Sequence, residues 1–102
     1  MKARQLLNRR VVLAPDAFAE LVIWQLARAQ SGSVHPFKYR LAFVVAGECV
    51  MRYGNETGKG DHRHRPGRET PYAFKSVDAL IKDFFKDVTR WRNENDSQNR
   101  DC

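Results

Sequence analysis

With 102 residues, the chain has room for one domain with a modest core and not for a second. Its formal net charge of +6 and isoelectric point near 9.7 point to a polyanionic partner, and the basic residues do not gather on one face of an amphipathic helix, which favours nucleic acid over a membrane surface. No run is apolar enough for a membrane span, Met1 to Gln5 lacks the apolar region of a signal peptide, and Cys49 in an apolar run makes a poor disulfide with the terminal Cys102. A cytoplasmic protein with reduced thiols, no membrane contact and a buried Cys49 is therefore expected.

In chain order, Arg4 to Leu13 reads as a strand, with a β-branched pair, Val11 and Val12, near its end. Pro15 and Asp16 follow as punctuation. They serve equally as the start of a helix or as the turn of a hairpin, because Phe18 to Leu26 is apolar at both parities and periodicity does not arbitrate; a strand is adopted. Ser31-Gly32-Ser33 and His35-Pro36 mark a loop. Tyr39 to Val45 and Glu48 to Tyr53 then form a hairpin about Ala46-Gly47. A two-residue turn would oppose Val45 to Glu48 and Arg40 to Tyr53. Arg40, Ala42, Val44, Cys49, Met51 and Tyr53 would then share one face, with Arg52 on the other beside Leu41.

After Pro71, the short extended piece Tyr72-Ala73-Phe74 leads to Ser76, an N-cap residue with Asp78 in the first helical turn. Val77, Leu80, Ile81, Phe84, Phe85, Val88 and Trp91 recur at helical spacing as one apolar stripe. Asp78, Lys82, Asp83, Lys86, Asp87 and Arg90 mix both signs and read as a solvated face. The expectation is an α+β domain over 1–93, an antiparallel β-sheet of about four strands covered by one C-terminal amphipathic helix, with a disordered tail over 94–102.

The stretch from Arg52 to Arg68 stands apart. It holds four of the six glycines, two of the three histidines and five of the eighteen Lys and Arg residues against two acids. Glycines allow close backbone approach and can aim peptide N–H groups at an anion, and Lys59, Arg63, Arg65 and Arg68 add charge-assisted donors. A solvated loop, a phosphate-binding loop, a metal site and a catalytic loop all remain open for Asp61-His62-Arg63-His64. For catalysis, His62 and His64 would be general acid and base in RNA cleavage at a 2′-hydroxyl, with Lys59, Arg63 and Arg65 stabilising the phosphorane. The crowd of cations opposes a divalent ion, so no metal and no cofactor are expected. Gly54 to Lys59 lacks the spacing of a Walker-type loop, and Gly60 stands where that loop needs Ser or Thr.

Tyr39-Arg40-Leu41-Ala42, Arg52-Tyr53-Gly54-Asn55-Glu56, Gly58-Lys59-Gly60-Asp61-His62-Arg63-His64 and Phe74-Lys75-Ser76-Val77 with Phe84-Phe85 together resemble the TumE family of toxins from bacterial toxin-antitoxin modules. The likeness runs from about Val11 to Trp91. It implies a growth inhibitor neutralised by direct binding of a helix-turn-helix antitoxin, and it implies no particular reaction. Gly54 departs from the resemblance, which leads one to expect Asp there. The candidate site then comprises His62, His64 and Asp61 as catalytic groups, with Arg52, Tyr53, Asn55, Lys59, Arg63 and Arg65 holding RNA. Two functional classes stay open: a metal-independent ribonuclease toxin, and a non-catalytic module that occupies nucleic acid or the ribosome.

Overall fold

A computed structural model describes residues 3–99; within it, only the helical backbone is described for 96–99. Six antiparallel strands follow one another as a meander: β1 Arg4–Ala14, β2 Ala17–Gln25, β3 Phe37–Val45, β4 Glu48–Gly54, β5 His62–Arg65 and β6 Arg68–Pro71. The helix α1, Val77–Asn99, closes the fold. The architecture is the expected α+β class, with six strands instead of four because the Arg52 to Arg68 stretch itself pairs into the sheet. Pro66 and Gly67 turn β5 into β6, with Gly67 at φ 82°, the residue a type II turn requires at that position. At the β3–β4 turn Ala46 and Gly47 both take positive φ, as the tight I′ hairpin demands.

Phe18 to Gln25 is extended, because β2 has neighbours on both sides and alternates cleanly, and Leu26 lies just past its end. Ala17, Ala19, Leu21 and Ile23 point into the core, while Phe18, Glu20, Val22 and Trp24 point away. One face of the sheet packs on α1, whose Leu80, Phe84 and Val88 lie within 2% of full burial. Each such side chain contributes about 1.5–3 kcal/mol of burial. Phe84 meets Tyr53 edge-on with ring centroids 5.5 Å apart, and Trp91 meets Phe43 in the same way. Ser76 Oγ accepts the Ala79 N–H at 3.0 Å, capping the helix as the sequence predicts. The helix continues to Asn99, through positions where a tail is predicted from 94; residues 100–102, with Cys102, lie outside the described residues.

Three expectations are corrected. First, β4 carries a bulge. Val44 pairs with Cys49 but Phe43 pairs with Met51, leaving Val50 as the extra residue. The one-residue slip moves Tyr53 opposite Leu41 and Met51 opposite Phe43, both on the core face, and sets Arg52 opposite Ala42 on the uncovered face with Arg40. Second, Cys49 is exposed, because it sits beside the turn, before the bulge carries the strand under the helix. Third, the acidic side of α1 is not simply solvated. Asp87 is buried, and its carboxylate accepts the Tyr53 hydroxyl, while Asp83 Oδ2 accepts the Tyr72 hydroxyl at 2.6 Å. The helix lies over a sheet face that carries two phenols, and these need acceptors once buried.

Candidate nucleic-acid interface

Strand β5 is His62-Arg63-His64-Arg65, and its period of two separates the four side chains. Arg63 pairs with Tyr53 and lies on the helix side, whereas His62 opposes Gly54 and His64 opposes Arg52 on the uncovered face. From β6, Glu69 opposes His64 and completes this face. The histidines therefore share a basin with Arg52, Lys59 and Glu69, while Arg63 and Arg65, expected beside them, project from the opposite side of the sheet.

Glu69 is the hub of the basin. Its carboxylate lies 3.3 Å from Lys59 Nζ, 3.9 Å from His62 Nε2 and 3.9 Å from His64 Nδ1. The Lys59 contact, aided by the two imidazoles, holds the Glu69 carboxyl below its ordinary range. A depression of about 310 Å³ opens here, lined by Lys59, Asp61, His62, Glu69, Thr70 and Pro71. The two histidines differ in access: the His62 side chain is 6% exposed and that of His64 is 48% exposed. Only a donor can face a carbonyl, so the 3.2 Å contact between His62 Nδ1 and Gly60 O places a proton on Nδ1. His62 Nε2 is buried and has no hydrogen-bond partner among the described residues, although a Glu56 carboxylate oxygen stands 3.2 Å away, off the bonding direction. Arg52 Nε is likewise buried and unpartnered.

Asp61 lines the same depression, but its carboxylate is engaged by residues outside it. Its Oδ2 accepts the Tyr39 hydroxyl at 2.6 Å and contacts His35 Nε2 at 2.8 Å. Because His35 Nδ1 accepts the Phe37 N–H, Nε2 is the donor to Asp61. The His35 ring stacks on Phe74 at 3.8 Å. Burial, then the bond to Asp61, pushes the Tyr39 phenol far above its ordinary range. Asn55 is also structural in its contacts: Oδ1 accepts the Tyr39 N–H at 3.0 Å and Nδ2 donates to Phe37 O at 2.7 Å. Tyr53 lies wholly in the core.

The glycines in the stretch serve backbone approach more than anion binding. Gly58 donates its N–H to Ser31 O at 2.6 Å, and a Cβ on Gly32 would meet the Gly58 carbonyl carbon at 2.9 Å. Gln30 bridges Asn55 O and the Thr57 hydroxyl, so the 55–61 loop is strapped to the 30–35 loop. Gly54 is different. A Cβ there would stand 3.8 Å from His62 Nε2 in ordinary contact, so neither space nor φ requires glycine.

Of the nine residues singled out in the sequence, His62, His64, Lys59 and Arg52 converge. Asp61, Asn55 and Tyr53 brace the fold, and Arg63 and Arg65 line a second surface. Glu69 and His35 escape sequence reasoning as site residues, and Glu56 enters it only within the Arg52 to Glu56 motif. Glu69 would be found only by recognising Pro66-Gly67 as a hairpin turn that carries β6 back beside His64. Among the described residues no group of three His, Cys, Asp or Glu side chains is placed to hold a metal ion, and no helix is long and apolar enough to cross a membrane.

Residues 2–92 match the family model described as toxin TumE. No curated protein and no solved structure matches the chain.

Proposed function

The chain belongs to the TumE toxin family, and from that premise we propose that it arrests growth by acting on RNA in the cytoplasm, as a ribonuclease whose proton carriers are His62 and His64. The observation that carries this reading is the delivery of both imidazoles to one face of β5, in a basin that also holds Lys59 and Arg52. In such a reaction the 2′-hydroxyl oxygen attacks the adjacent phosphorus and loses its proton to one imidazole. The other, as imidazolium, protonates the departing 5′-oxygen, leaving a 2′,3′-cyclic phosphate and a 5′-hydroxyl. With Nδ1 protonated toward Gly60, a neutral His62 carries its lone pair on Nε2, which suits the base; exposed His64 suits the acid. Glu56, whose side chain is 55% exposed, has to swing aside for RNA to reach Nε2. Lys59 and Arg52 meet the charge that develops on the phosphorane.

The partner in this reading is a helix-turn-helix antitoxin that covers the basin, so antitoxin and RNA compete. The test uses purified protein and an oligoribonucleotide, with a matched substrate lacking the 2′-hydroxyl at the cut position. Cleavage of the first and not the second, with a bell-shaped pH dependence, is expected. Replacing either histidine by Ala lowers turnover by about two to four orders of magnitude while RNA binding is retained. Intact RNA with full binding would transfer the role to the non-catalytic reading, which the burial of His62 Nε2 behind two carboxylates favours.

A further inference from the structure

On the helix side of β5 and β6 lies a cleft of about 450 Å³, walled by α1. Among the described residues its lining carries five cationic side chains, Arg63, Arg65, Lys75, Lys86 and Arg90, against the two carboxylates Asp83 and Asp87. The carboxylates are already engaged by phenols, Asp87 with Tyr53 and Asp83 with Tyr72. The guanidiniums reach Asp87 only loosely, Arg63 Nη1 at 3.6 Å and Arg65 Nη1 at 4.0 Å, beyond hydrogen-bond length. Arg63 Nε is buried with no hydrogen-bond partner among the described residues. Arg63 is nonetheless held in place, its Nη1 donating to Tyr53 Oη at 3.3 Å and its guanidinium 6.0 Å from the ring centres of both Tyr53 and Tyr72. A guanidinium held in place beside four further cations, in excess over the two engaged carboxylates, is an arrangement that receives phosphate oxygens.

We propose that this cleft is a phosphate-binding site, and that its ligand is the backbone of the same RNA strand whose reacting nucleotide lies in the basin across the sheet edge. The inference rests on the RNA reading above. Two observations select a strand over a free nucleotide. The aromatic ring lining the cleft, Tyr72, is buried at 9% exposure and engaged through its hydroxyl, so no open aromatic face receives a base. Pro71, at the end of β6, lines both the cleft and the basin depression, so the two cavities meet around one strand end. The alternation of His62, Arg63, His64 and Arg65 thus sets proton carriers on one side of the edge and phosphate clamps on the other.

The experiment measures binding of a labelled single-stranded RNA across a salt series, for the parent protein, for K75A/K86A/R90A and for H62A/H64A. The three cleft side chains are exposed, so their removal leaves the core intact. The cleft variant is expected to lose about tenfold or more in affinity at low salt. Its log–log salt slope should flatten by about 2, at roughly 0.7 for each lost phosphate contact. The histidine variant keeps the parent slope. Parent-like slope and affinity in the cleft variant would overturn the proposal. If the parent itself binds no RNA, the RNA reading falls separately, and titration with pyrophosphate, followed at the Arg63 Nε–Hε resonance, decides the cleft. A shift lost in the cleft variant would retain a phosphate site and overturn the strand as its ligand; no shift would overturn both.

Discussion

Asp61→Asn distinguishes a brace from a catalyst. In the parent, a single carboxylate oxygen accepts two short hydrogen bonds, from Tyr39 Oη at 2.6 Å and from His35 Nε2 at 2.8 Å, in a setting where Asp61 and His35 side chains are 13% and 11% exposed. Hydrogen bonds to a charged acceptor contribute about 1.5–3 kcal/mol each, roughly twice a neutral bond. An Asn amide oxygen in the same place keeps both bonds and loses the charge, so about half of each is forfeited, a destabilisation of about 2 kcal/mol. Asp61→Ala removes both bonds and leaves the buried Tyr39 hydroxyl unsatisfied, for about 4 kcal/mol in all. In a domain of this size the Asn variant lowers Tm by about 10 °C. Urea unfolding and thermal melts measure both, and a Tyr39→Phe partner variant closes a double-mutant cycle with an expected coupling of about 1 kcal/mol or more. At a temperature where the Asn variant is fully folded, its RNA cleavage should lie within a few-fold of the parent. Parent-like stability with cleavage abolished would refute the brace and return Asp61 to the chemistry.

Three further outcomes follow from the same contacts. Gly32→Ala forces a Cβ to 2.9 Å from the Gly58 carbonyl carbon at φ +85°, and should cost about 2 kcal/mol or more, read as a fall in Tm; an unchanged melt would show that the two loops are not strapped together. The chain has three tyrosines, and burial followed by a bond to Asp61, Asp87 or Asp83 raises the phenol of each. Their folded values lie above the unfolded one, so this stabilisation is complete below about pH 10 and declines as pH rises beyond it; ultraviolet titration should show no tyrosinate until the protein unfolds, and ordinary ionisation near pH 10 would contradict the burial. A Cβ at Gly54 meets only ordinary contacts, with Glu56 Oε1 at 3.5 Å and His62 Nε2 at 3.8 Å, so Gly54→Asp should fold and bring a second carboxylate beside Glu56 and the unfilled His62 Nε2. Stronger growth arrest by this variant would mark Gly54 as impairing, and a collapse of Tm would show the pocket to be closed.

Much of the fold is legible without coordinates, because local chemistry dictates it. Val77 to Trp91 repeats at helical spacing, Ser76 caps it, and Ala46-Gly47 turns one β-rich run into the next; each signal lies within a few residues and needs no partner elsewhere. The concentration of His, Gly and cations between Arg52 and Arg68 is equally plain in the sequence, and four of the residues it singles out do converge. Tertiary structure decided what each side chain faces. The bulge at Val50 inverted the face of Tyr53 and Met51, since one extra residue reverses the parity of a strand and no local signal at Val50 announces it. The pairing of β5 into the sheet parted His62 and His64 from Arg63 and Arg65, neighbours in sequence and strangers in space. Asp61 took its partners from His35 and Tyr39, and Asp87 took Tyr53, across 26, 22 and 34 residues of chain. Contacts over such separations follow from how the strands and helix stack, because buried phenols and carboxylates pair wherever packing brings them together.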